Sequence, residues 1–142
     1  MASKILITLG VVVYAIVVPF LEINASHVFN EAWPPHARLH EVWQLTTNSA
    51  IGVLALWLTW GKGEVRIASM LNVAVMGGVL VAHVLSGSYG GSIISGNVEK
   101  TVLGIELAGF AAGVVVIMAV AAFFSESRLS VGEPQGNISP NK

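Results

Sequence analysis

Four long apolar runs mark the chain, separated by short polar connections. The first covers about residues 5–21 and closes on Pro19 and Glu22. The second covers about residues 39–60. It follows Pro34-Pro35, which suit the first turn of a helix because their missing N–H groups have no partner there anyway, and it ends at the turn Gly61-Lys62-Gly63-Glu64. The third and fourth cover about residues 65–85 and 102–124. Each is close to the roughly 20 residues a helix needs to cross the hydrocarbon of a bilayer. The pattern therefore predicts an all-α fold: a polytopic membrane protein built as an up-down bundle of four transmembrane helices over residues 1–125. Beyond Ser125 the chain turns polar, with Pro134, Gly136, Asn137 and Pro140, and residues 126–142 read as a disordered tail. The first run exceeds a normal signal-peptide core, and Ile23-Asn24-Ala25 lacks the small residue a cleavage site wants, so the run reads as an anchor.

Composition supports the same class. Of 142 residues, 54% are hydrophobic and only 11% charged, against about 25% charged in a soluble domain. The net charge of −1 offers no basic surface for nucleic acid. With no cysteine, disulfides, thiolate nucleophiles and Cys-bound metals are excluded. Lys4, Lys62 and Arg66 flank one side of the expected spans, whereas the loop 22–41 carries Glu22, Glu31 and Glu41 against Arg38 alone. The positive-inside rule then puts both termini on the cytoplasmic side of an integral, multi-pass protein.

Threading that topology collects the polar residues at one end. All four histidines and five of the eight glutamates fall in the outer half or the outer loops. His36, His40, Gln44 and Asn48 recur every four residues and share a helix face. Asn72, Met76 and His83 share a face of the third run. Glu106 lies about one turn into the fourth, above the small residues Gly109 and Gly113. A carboxylate inside lipid needs a partner, and His83 at similar depth is the expected one. The candidate catalytic residues are His40, His83 and Glu106. Gln44, Asn48, Trp33 and His36 are candidate substrate-binding residues, and no metal ligand is assigned. Trp43, Trp57 and Trp60 read as interfacial anchors. The stretch Gly87-Ser88-Tyr89-Gly90-Gly91-Ser92 lacks the Lys-Ser/Thr of a phosphate loop and reads as an outer lid or re-entrant turn.

Residues 24–40, reading NASHVFNEAWPPHARLH, resemble the signature loop of small four-helix membrane proteins mostly labelled as of unknown function. The resemblance implies a four-span layout and names no activity. A looser similarity, of kind only, is to bundles of the emopamil-binding sterol isomerase type, where His and Glu in a membrane cavity move protons on a lipid. No catalytic residue carries over from it.

Three function classes stay open, and with them whether the protein is an enzyme. The first is acid–base chemistry of an isomerase, hydratase or cyclase type on a lipophilic small molecule, worked by His40, His83 and Glu106. The second is a redox or metal subunit, with His40 and His83 as axial haem ligands or His36 and His40 with Glu41 or Glu106 on a divalent ion. The third is a non-enzymatic membrane subunit or lipid-binding scaffold. The expected partners are a membrane lipid or lipophilic small molecule, with a homo-oligomer or larger membrane complex left open and no cofactor identified by any motif.

Overall fold

A computed structural model describes residues 1–94 and 100–131. Four helical rods dominate them: α1 (Ala2–Glu22), α2 (Pro35–Leu56, continued by a wide π-helical stretch Trp57–Lys62), α3 (Val65–Tyr89) and α4 (Leu107–Val131). Three of these, α1, α3 and α4, are long and apolar enough to cross a membrane. The fourth rod, α2, is comparably long, but its first half carries His36, Arg38, His40, Glu41, Gln44 and Asn48, and it is not among the three. α4 continues past Ser125 to Val131, through the first residues of the expected tail, whose remainder, residues 132–142, lies outside the described residues.

The all-α expectation is corrected at one point. A small hairpin precedes α4, with β1 (Thr101–Val102) antiparallel to β2 (Ile105–Glu106). Leu103 (φ 55°) and Gly104 (φ 78°) both occupy the left-handed region, the conformation a two-residue type I′ hairpin turn demands. Residues 101–106 look like the start of an apolar helix in sequence, but this turn delays the helix to Leu107.

Helix ends follow local chemistry. Pro34 caps α2 and Pro35 opens it. Gly63 (φ 74°) ends the π stretch after α2, and Gly90 (φ 71°) ends α3, each in the left-handed conformation that glycine adopts without penalty. Within α1, Pro19 brings no N–H to the carbonyl of Ala15 four residues earlier. The helix widens to a π turn over Val13–Val17, and Ser49 Oγ of α2 donates to that Ala15 carbonyl at 3.2 Å.

α1 and α3 touch each other and both pack against α2 and α4. The core is built largely of small side chains, with Ala55, Ala68, Ala112, Ala119 and Ala122 buried beside Ile7, Val11, Tyr14, Val65 and Met76. Such residues let helix backbones come close. A Cβ on Gly52 would sit 2.7 Å from Ala15 Cβ, which measures how tightly α2 lies on α1. At mid-height a buried polar bridge ties α1 to α3. Tyr14 Oη donates to Asn72 Oδ1 at 2.9 Å, and Asn72 Nδ2 donates to the Ile7 carbonyl at 3.1 Å. A Cβ on Gly10 would lie 2.7 Å from Asn72 Nδ2, so this bridge needs glycine there.

Candidate functional site

The two ends of the molecule are built differently. At the end holding Lys4, Lys62 and Arg66, each cation lies over an aromatic ring: Lys4 over Trp60 at 5.4 Å, Lys62 over Trp57 at 5.1 Å and Arg66 over Phe123 at 4.5 Å. Trp60 Nε1 donates to Thr8 Oγ1 at 3.0 Å, and Ser3 Oγ donates to Glu126 at 2.7 Å. All but the Lys62–Trp57 contact join two different rods at that end.

The histidine-rich end holds space. A cavity of about 530 Å³ lies between α2 and α3. Its polar groups are Gln44 and Asn48 from α2, His83, Ser86 and Tyr89 from α3, and Ser92 just beyond; Ile51, Val75 and Val79 supply an apolar lining. Gly78 belongs to the lining too, and a Cβ built on it would meet nothing within 4 Å. A second cavity of about 380 Å³ is lined by His83, Ile93, Gly104, Glu106 and Gly109. His83 and Ile93 belong to both, so the two spaces adjoin at the imidazole.

Glu106 reaches this place from the hairpin, on β2, and not from within the fourth helix as the spacing predicts. Leu107 N–H donates to the Lys100 carbonyl at 2.9 Å and fixes the hairpin base against α4. His83 and Glu106 line one cavity, yet among the described residues no hydrogen bond or ion pair joins them. Gln44 and Asn48 likewise make no side-chain hydrogen bond among the described residues. The turn after α3 is tightly made: Gly91 N–H donates to the Ser86 carbonyl at 3.0 Å, and Gly91 packs under the Tyr89 ring, where a Cβ would be 2.2 Å away. Residues 87–89 of the stretch expected as a lid are therefore the last turn of α3, which ends at Gly90.

The remaining expected site residues lie apart from these cavities. His40 and His36 are exposed at the start of α2 with their Nε2 atoms 3.0 Å apart, and His40 stacks on Trp43. Trp33 meets His27 edge-on at 5.5 Å. Neither His36, His40 nor Trp33 lines either cavity. Conversely, Ser86 joins the lining without having been singled out, because a serine on an apolar run reads as a packing residue, and Ser92 enters it from the stretch expected as a lid.

One polar cluster eluded the spacing altogether. Glu22 Oε2 and His27 Nε2 are 2.8 Å apart in the connection between α1 and α2. Asn24 Oδ1 accepts from Ser26 N–H at 2.7 Å and from Ser26 Oγ at 2.6 Å. The Ser26 proton being spent on Asn24, its Oγ accepts from His27 Nδ1 at 2.8 Å. His27 thus contacts Ser26 through Nδ1 and Glu22 through Nε2. The Asn-x-Ser turn is the signal that marks it.

No protein-family model, curated protein or solved structure matches the chain.

Proposed function

We propose that the protein is a four-span membrane protein, both termini cytoplasmic, whose histidine-rich end binds a lipophilic small molecule with its polar head at His83. The observation that carries this is the position of His83 at the junction of two cavities, one bringing Gln44 and Asn48 and the other Glu106. Polar groups at membrane depth are costly unless partnered or used, and among the described residues these have space beside them in place of side-chain partners. The apolar lining suits a hydrocarbon body, and the few convergent polar groups suit one oxygen-bearing head. Apolar side chains face outward along the rods, including Ile16, Phe20, Val53, Val84, Ile117 and Phe124, which agrees with lipid contact on α2 as well as on the three apolar helices. The gathering of Lys4, Lys62 and Arg66 at the other end agrees with the orientation, and the resemblance of residues 24–40 to four-span proteins agrees with the layout.

Acid–base chemistry on the bound molecule is the second part of this proposal. His83 and Glu106 line one cavity without bonding each other, which leaves an imidazole and a carboxyl to act on a substrate held there. One removes a proton and the other returns it, which is the requirement of an isomerisation.

The test is Gly78→Leu, which puts a side chain into the larger cavity from an open position on a helix. Wild-type protein purified in mild detergent is expected to yield a stoichiometric lipophilic compound on solvent extraction and mass spectrometry. The variant is expected to lose it while its melting temperature holds or rises, since glycine in a helix interior costs up to about 1 kcal/mol relative to other residues. Equal recovery from a folded variant would contradict the site. Recovery of an unaltered compound, with no turnover on incubation, would leave a binding scaffold in place of an enzyme.

A further inference from the structure

We propose that His36 and His40 form a bidentate site for a divalent transition-metal ion, of the tetragonal or octahedral kind represented by Cu(II), on the exposed face at the start of α2. The site is separate from the cavities and does not depend on what they bind. Two histidines four residues apart on a helix project side by side, and here their Nε2 atoms close to 3.0 Å. At an ordinary metal–imidazole distance of about 2.0–2.1 Å, that separation subtends roughly 90° at the ion. Cis positions of a tetragonal or octahedral shell meet at that angle, whereas a tetrahedral ion wants its ligands farther apart. An ion there takes the place of the hydrogen bond between the two nitrogens.

The pair is also held in place. The His40 ring stacks on Trp43 with centroids 5.6 Å apart and planes 22° from parallel. The helix beneath is fixed from its first turn by Pro34 and Pro35, with Ala37 and Arg38 N–H groups both donating to the Pro34 carbonyl. Both imidazoles are exposed, so an ion has direct access. No group of three or more His, Asp or Glu side chains converges on a metal position among the described residues; water fills the rest of the shell. The choice of ion follows, because imidazole with water and a cis angle near 90° favours Cu(II), the strongest binder of the divalent series.

The experiment titrates Cu(II) into the purified full chain, free of any polyhistidine tag, in detergent, followed by calorimetry and tryptophan fluorescence. One Cu(II) per chain is expected, with quenching of the Trp43 component and a tetragonal electron paramagnetic resonance spectrum showing two nitrogen ligands. His36→Ala and His40→Ala are each expected to weaken binding at least about tenfold, because the chelate is lost, while His27→Ala leaves it unchanged. Circular dichroism checks that each variant keeps its helices, and alanine on an exposed helix turn favours them. Absence of binding to the wild-type chain, or undiminished binding to the folded His36→Ala/His40→Ala double variant, would overturn the proposal.

Discussion

Two asparagines on neighbouring helices show how differently this chain uses the same side chain. Asn72, on α3, is fully buried and spends both ends of its amide, accepting from Tyr14 and donating to the Ile7 carbonyl. Asn48, on α2, makes no side-chain hydrogen bond among the described residues and lines a cavity of about 530 Å³. A partnered polar group in an apolar core fixes the relation of two helices. An unpartnered one beside space is available to something else. The distinction separates the middle of the molecule, which is closed, from the histidine-rich end, which is open.

The largest effect expected from breaking this contrast is at Asn72. Asn72→Ala strands the Tyr14 hydroxyl in the core and removes the bond from α3 to the Ile7 carbonyl, and should cost roughly 2–4 kcal/mol, read as a large fall in melting temperature in detergent. Unchanged melting would show that the bridge does not hold α1 to α3. Next comes the α1–α2 contact. A Cβ on Gly52 would meet Ala15 Cβ at 2.7 Å and Val11 Cγ1 at 3.0 Å, so Gly52→Ala should force the helices apart at a cost of about 1–3 kcal/mol. If thermal unfolding shows a gain instead, α2 packs more loosely than described. The hairpin that carries Glu106 offers a change of opposite sign. Leu103 holds φ at 55° with its side chain almost wholly exposed, and Leu103→Asn should stabilise by about 0.5–1 kcal/mol by suiting the type I′ turn. Smallest in stability is Asn48→Ala, expected within about 0.5 kcal/mol of wild type, with its effect falling on retention of the bound molecule. A loss as large as that of Asn72→Ala would erase the contrast.

Much of this was open to a reading of the residues. The apolar runs locate the first three rods to within about four positions, because bilayer length and helix rise leave little freedom, whereas the fourth rod is displaced toward the C-terminus by the hairpin. Pro34-Pro35 and Gly63 mark helix boundaries for local steric reasons. Gln44, Asn48 and His83, each placed by helical spacing in the outer half, line one cavity. Glu106 was placed on the wrong element because Thr101 to Glu106 carries no strong turn signal: leucine at Leu103 hides a conformation usually signalled by asparagine or glycine. The bridge from Tyr14 to Asn72 joins positions 58 apart in the chain, a relation periodicity does not contain. The π turn in α1 answers to Pro19 and to Ser49 on another helix, so it too depends on tertiary packing.

The most direct measurement is an experimental structure of the full chain in lipid nanodiscs. The account predicts elongated density running through the two adjoining cavities, its polar end within hydrogen-bonding distance of His83 and its body along Val75, Gly78 and Val79. Cavities collapsed by repacking of α2 on α3, or His83 turned to the surrounding lipid with no density beside it, would contradict it.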